Sequence, residues 1–455
     1  MNKGIPTELG TEKVSKLLRK YAVPAIIAMT ASSLYNIVDS IFIGQGVGPY
    51  AISGFAITFP FMNLAAAFGS LIGVGASTLS SVLLGQKDYD NAKRVLGNVV
   101  VLNLIMGGLF SLISLLFLDS ILYFFGASEN TLPYAKEYMV IILAGNIITH
   151  MYLGLNALLR SSGHPKQAMA ATMLTVVLNC ILDPLFIFVF KMGIAGAAWA
   201  TILSQIVALA WLLRIFSNKN ELIHFQSGIF RLQKKIVKDS LAIGLSPFRM
   251  NAVSSFVVIF INRQLLKYGG DLSVGAYGIV NRYVFLFMMI VLGFTQGMQP
   301  IVGYNYGARQ YDRVTEALKR TIKWGMIVMT TSFVVGMFFP YTVVSAFTND
   351  PDLIEKAAHG VRIIVFAFPV IGINLVTSNF FQSIGKPKRS IFLSLSRQLI
   401  FLTPLLYILP MFIGEKGVWW SFAISDLIST FVASTLLYQF LKTFKIGRAS
   451  CRERV

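Results

Sequence analysis

Residues 84–96 read LGQKDYDNAKRVL, and residues 306–318 read YGARQYDRVTEAL. At an offset of 222, Gly85 falls on Gly307, Tyr89 on Tyr311 and Asp90 on Asp312. The same offset lays ISGFAI (52–57) on VGAYGI (274–279) and SSGHPK (161–166) on SIGKPK (383–388). Three separated matches at one offset mark an internal duplication. Each half contains six long apolar segments. An even number returns the chain to its starting side, so the halves share one orientation. Parallel repeats of this kind are related by an axis along the membrane normal, as in many secondary transporters. Two such bundles with a cleft between them suit alternating access.

The apolar segments are the second observation. Of the 455 residues, 55% are hydrophobic and only 13% charged, with mean hydropathy +0.68. A soluble protein would carry roughly twice that charged fraction. Twelve stretches reach or exceed the ~20 residues that cross a bilayer as helix. They are 20–44, 51–80, 94–118, 134–159, 167–190, 195–217, 240–267, 273–302, 316–340, 357–383, 388–411 and 417–442. The expected fold is an all-α integral membrane protein of twelve helices in two pseudo-symmetric six-helix bundles. Residues 1–217 form the first bundle, 218–238 a basic linker and 239–446 the second. The first segment is too long for a signal peptide and is expected to be a span. The final GRASCRERV (447–455) breaks the pattern and reads as an expression remnant without function.

The net charge of +19 raises nucleic acid as a partner, but its distribution excludes that. With the N-terminus inside, inner segments hold 29 Lys and Arg, outer loops hold 6, and four arginines lie within spans. This is the positive-inside bias, and it places both termini in the cytoplasm. Cys180 lies mid-span and Cys451 in the tail, so a disulfide between them is not expected. No phosphate loop, zinc spacing or nucleophile elbow is present, so the reading is not an enzyme and needs no cofactor.

Polar residues inside the spans carry the functional argument. A charged side chain at the bilayer centre costs about 2.5–3.5 kcal/mol on insertion scales, so such residues mark function by default. The fifth span contains LNCILDPLF (178–186), where Asn179 and Asp183 share a helical face. The first contains LYNIVDSIF (34–42), which sets Tyr35, Asn36 and Asp39 on one face. The sixth contributes Thr201 and Gln205, again four apart. Two carboxylates, carboxamides and hydroxyls from three helices suit a cation bound by oxygen. Two carboxylates close together cannot both ionise cheaply, so one keeps a proton or both are neutralised by Na⁺. Pro184 frees the carbonyl of Cys180 and breaks the helix beside the site. The second half lacks this pattern, since Leu405 and Ile261 replace Asp183 and Asp39 at the offset of 222. It carries Arg249, Arg282 and Arg397, and Asp426, which is expected to pair with Arg397. His150, in the fourth span, reads either as a proton relay or as a hydrogen-bonded core residue. Asp90 and Asp312 are expected to cap the helices that follow the duplicated turn.

These motifs resemble the multidrug and toxic compound extrusion (MATE) family over nearly the whole chain. The carriers are YNIVDSIFIG (35–44), LGQKDYDNAKR (84–94), GHPK (163–166), LNCILDP (178–184) and the six-plus-six plan. The acidic first half is similar to the DinF-like and MepA-like branches. The resemblance implies export of amphipathic, mostly cationic compounds against inward H⁺ or Na⁺. It implies a coupling site of Asp39, Asn179, Asp183 and Thr201, which would be the metal ligands if the ion is Na⁺. It also implies that Pro24 bends the first span and that Tyr35, Asn36 and Asn156 face the substrate cavity. Membrane lipids and small organic cations are the expected partners, in a monomer of the plasma (inner) membrane. The alternative within the same superfamily is a lipid-linked oligosaccharide flippase. Those often have 14 spans and a basic cavity, for which the three arginines would serve.

Overall fold

The computed structural model describes residues 7–47, 49–125, 127–347 and 350–452. Side chains at 35–37, 40–41, 44–45, 49–50, 52–53, 56, 255, 271 and 443–452 lie outside that description, and with them the tail segment 447–455. Among the described residues every regular element is helical. The first half comprises α1 (Val14–Gly46), α2 (Pro49–Gly85), α3 (Tyr89–Leu116), α4 (Leu132–Ala144), α5 (Asn146–Ser161), α6 (Pro165–Pro184) and α7 (Gly193–Phe216). The second comprises α8 (Lys234–Gly270), α9 (Leu272–Gly307), α10 (Tyr311–Phe338), α11 (Pro351–Val365) and α12 (Phe368–Ser383). It closes with α13 (Pro387–Leu395), α14 (Thr403–Ile413) and α15 (Glu415–Arg452).

The duplication is written into the backbone. Helices α3 and α10 begin at Tyr89 and Tyr311 and end at Leu116 and Phe338, all at the offset of 222. Helices α5 and α12 keep it too, from Asn146 and Phe368 to Ser161 and Ser383. The duplicated turn before α3 has Lys87 at φ 61, and the turn before α10 has Arg309 at φ 59. In each, an amide closes a six-residue ring, Asp88 N to Leu83 O at 3.0 Å and Gln310 N to Asn305 O at 2.8 Å. This is a Schellman-type helix end, which favours a left-handed residue. Glycine usually fills it, and a side chain there costs roughly 1–2 kcal/mol. The GHPK and GKPK turns use glycine instead, with Gly163 at φ 104 and Gly385 at φ 69. The cap on α3 differs from the expected one. Asp88, not Asp90, accepts from Asn91 N at 3.3 Å, while Asp90 and Asp312 sit in the first turns and complement the dipole.

Among the described residues nine helices are long and apolar enough to cross a membrane, or eleven when two bent pairs each count as one span. The expected first span lies within α1. The stretches expected as single spans at 134–159 and 357–383 are each broken. Helices α4 and α5 meet at 54°, and α11 and α12 at 60°. Gly145 separates the first pair and packs so closely on Ile202 of α7 that a β-carbon would overlap it. The second pair breaks just before Pro369, which has no amide to continue the ladder. Spans seven and eight are continuous except at Gly270 (φ 73, ψ −174), where α8 turns into α9.

Two compact units result, and they divide inside helices and not at the linker. One contains Met1–Glu12 and Ile27–Asn251, the other Lys13–Ile26 and Ala252–Val455. Residues 218–238 therefore belong to the first unit. Ile223 and Ile229 are buried there, and Asn98 of α3 grips the strand of linker above it. Its amide donates to Arg231 O at 3.3 Å, and its carbonyl accepts from Gln233 N at 3.0 Å. Gly97 beside it is required, since a β-carbon would overlap the Ile229 carbonyl.

Candidate cation site

In the first unit, Asp39 of α1, Asn179 and Asp183 of α6 and Thr201 of α7 converge. All four are buried, with Asp183 fully inaccessible and Asp39 at 2%. Asn179 sits at the centre. Its Nδ2 donates to Asp183 Oδ1 at 3.2 Å and to Thr201 Oγ1 at 3.3 Å. The four-residue spacing on α6 makes the first bond possible. The Asp39 and Asp183 carboxyls lie within hydrogen-bonding reach of each other. Two ionised carboxylates are both acceptors only, so that contact needs a proton or a cation between them. Among the described residues, three oxygens here receive no hydrogen bond: Asp39 Oδ1, Asn179 Oδ1 and Asp183 Oδ2. Buried polar atoms are nearly always satisfied, and carboxylate and amide oxygens are the donor type that hard cations take. The same oxygens fit Na⁺ or a shared proton.

Pro184 follows Asp183 and lies at the end of α6. The next five residues, Leu185–Val189, form a π-helical turn. The break expected from proline is thus a widened turn, a form that recurs at functional sites. Gln205, one turn along α7 from Thr201, accepts from Thr149 Oγ1 of α5 at 2.5 Å. That bond extends the polar set to a fourth helix, and sequence spacing alone did not reveal it because it pairs residues on helices remote in sequence.

The other expected residues are placed as follows. Pro24 is buried inside α1, two residues before the end of the Lys13–Ile26 segment. The side chains of Tyr35 and Asn36 lie outside the described residues. Asn156 is 5% exposed, and its amide is engaged within the bundle. It donates to Ala168 O at 2.9 Å and to Thr172 Oγ1 at 3.4 Å, holding α5 to α6. Arg249 and Arg282 are exposed.

In the second unit, Arg397 Nε meets Asp426 Oδ1 at 2.6 Å, with the Asp426 side chain 5% exposed. Arg397 lies in a second π-helical segment, Ser396–Leu402, which joins α13 to α14. Asp426 is on α15, so the pair ties this widened turn to its neighbour. Breaking a buried pair leaves one charge uncompensated, at roughly 3–5 kcal/mol. Arg397→Leu and Asp426→Leu should each lower the melting temperature in detergent sharply. The double change should restore most of the loss, a coupling that thermal melts of the four proteins read directly.

Comparison with known proteins fits this architecture. A sequence model of the MatE family matches residues 24–185 and 248–408, one match in each half. The chain belongs to the MatE family. It is similar to the multidrug export protein MepA of Staphylococcus haemolyticus (strain JCSC1435), at 26% identity over 97% of each chain. It is also similar to MepA of Staphylococcus aureus (strain NCTC 8325 / PS 47), at 27% identity over 93% of this chain and 94% of that one. Among solved structures it resembles an outward-facing multidrug resistance MATE family transporter of the MOP superfamily. The TM-score is 0.91 at 26% identity, over 97% of this chain and 99% of the other. A MOP superfamily transporter from Pyrococcus furiosus, described as having reverse polarity of its binding pocket, superposes with TM-score 0.93 at 25% identity. That match covers 98% of this chain and 100% of the other. The chain is thus a multi-span helical membrane protein of a transporter family.

Proposed function

We propose that this MatE-family chain is a secondary antiporter. It exports amphipathic, mostly cationic drugs or toxins in exchange for inward H⁺ or Na⁺, by alternating access. The observation that carries the reading is the Asp39–Asp183 contact with its three bare oxygens. A transporter couples two solutes when each changes the other's affinity for a shared conformation. Here the coupling ion changes the charge of a buried carboxyl pair. With the proton or Na⁺ in place, Asp39 and Asp183 attract the same centre and α1 is held against α6. With it gone, two like charges face each other in a low-dielectric site, and the contact is driven apart. Asn179 keeps Asp183 oriented through either state, and Thr201 anchors Asn179. For Na⁺ the ligands would be Asp39 Oδ1, Asn179 Oδ1, Asp183 Oδ2 and the Thr201 hydroxyl.

Drug export is supported by the relatives' names, and the plasma-membrane location with cytoplasmic termini by the distribution of Lys and Arg. The protein would act as a monomer among lipids, bind no nucleic acid, do no covalent chemistry and require no cofactor beyond the coupling ion. The test is transport in proteoliposomes loaded with a fluorescent organic cation. Export is expected when a Na⁺ or a pH gradient is imposed, and the gradient that works alone identifies the ion. Movement of the dye under neither gradient would reject the antiport reading. The exposed Arg249 and Arg282 favour the flippase as the second reading. It predicts that the same vesicles translocate an anionic lipid-linked sugar and ignore the dye.

A further inference from the structure

Helix α5 carries a second polar face. Asn146, His150 and Gly154 recur every four residues and line about 12 Å of it. Helix α3 presents Asn103, Gly107 and Ser111 at the same spacing. The two faces meet along a seam. A β-carbon on Gly154 would overlap the Asn103 amide, and one on Gly107 would lie 3.4 Å from His150 Nδ1. All four polar side chains are buried, at 0% for Asn103 and His150, 2% for Asn146 and 8% for Ser111. The His150 ring lies 3.0 Å from the Ala65 carbonyl of α2 through Nε2, so that nitrogen carries the hydrogen and Nδ1 is a bare acceptor. Five polar atoms of the seam have no partner: Asn103 Nδ2 and Oδ1, Ser111 Oγ, Asn146 Nδ2 and His150 Nδ1. Two are acceptors, two are amide donors and one is a hydroxyl that serves as either. Left dry, each would carry the desolvation penalty of a lost hydrogen bond. Gly69, Gly107 and Phe110, which also pack on the ring, are uncharged and offer it no hydrogen bond.

We propose that the α3–α5 seam is an internal water-binding site organised by His150 and Asn103. Water donates to His150 Nδ1 and Asn103 Oδ1 and accepts from the amides of Asn103 and Asn146, with Ser111 at the far end. A buried water typically makes two to four hydrogen bonds, and the five free polar atoms are the donors and acceptors the seam offers for them. Asn146 lies about one turn before both Thr149, which bonds Gln205, and His150 on the same helix. The seam is distinct from the carboxyl site. It stands whether or not that site couples transport.

Millisecond X-ray radiolysis of the purified full-length protein tests it, because bound water generates hydroxyl radicals in place. His150 should be oxidised at a rate comparable to an exposed aromatic such as Tyr438, despite its burial. Oxidation at Tyr438 with none at His150 would overturn the proposal. Asn103→Leu supplies a second measurement. Loss of a hydrated amide lowers the melting temperature and the His150 signal together. A rise in melting temperature would mean the amide had been buried dry, and would also overturn it.

Discussion

Asp183→Asn should reduce gradient-driven export of an organic cation to the level of protein-free vesicles, while the protein folds and purifies as before. The two halves of this expectation have separate causes. Asparagine has the shape of aspartate, and its carbonyl can still accept from Asn179 Nδ2, so the Asn179–Thr201 chain survives. Removing one of two adjacent carboxyls also removes their repulsion, so the melting temperature should hold or rise. What is lost is the exchangeable proton, or for Na⁺ the negative charge that compensates it. Asp39→Asn should behave alike, because either change leaves a single carboxyl that no longer needs a shared cation. Uncoupled binding of the dye would persist, measured by equilibrium fluorescence, since neither residue is asked to hold it. A folded Asp183→Asn protein that exports at the full rate would sink the coupling role.

The legible part of this site was its chemistry. An aspartate in LNCILDPLF has no structural excuse in an apolar run, and the four-residue spacing placed Asn179 beside it. The duplication was legible for a similar reason. Its matches fall at helix-ending turns, left-handed at 87 and 309 and at the glycines 163 and 385 in both halves. What hydropathy could not convey is which helix touches which. Nothing in residues 134–159 distinguishes a straight span from two helices at 54°, because the bend depends on Gly145 meeting Ile202 on α7. The 218–238 linker reads as a boundary by charge, yet Asn98, 133 and 135 residues from its two partners there, fastens it to α3. The α3–α5 seam was invisible because asparagine and serine are unremarkable until their neighbours are known.

The start of α8 packs on α2 by backbone contact. A β-carbon on Gly244 would overlap the Leu71 carbonyl, and one on Gly75 would overlap the Ser240 carbonyl. The second unit repeats the arrangement at the offset of 222. There Gly297 faces Ala22, with a β-carbon 2.5 Å from its Cα, and Gly293 faces Ile26 at 2.6 Å. Gly244 and Ala22 are themselves 222 apart, as are Gly75 and Gly297, so the duplication preserved a packing rule along with its turns. Without water between helices, such close approach is a main source of association in a bilayer. Gly244→Val should therefore destabilise the protein by at least about 3 kcal/mol, the upper range of overpacking, because the opposing atoms are main chain and have no rotamer to yield. Gly75→Val should match it. The control is Gly278→Ala, where no atom lies within 4 Å of the new carbon. It should be neutral or gain up to about 1 kcal/mol from helix propensity alone. Thermal melts in detergent would separate these cases by many degrees. If Gly244→Val melted with Gly278→Ala, α8 would not lie against α2 in the folded protein, and the division of the chain into its two units would have to be redrawn.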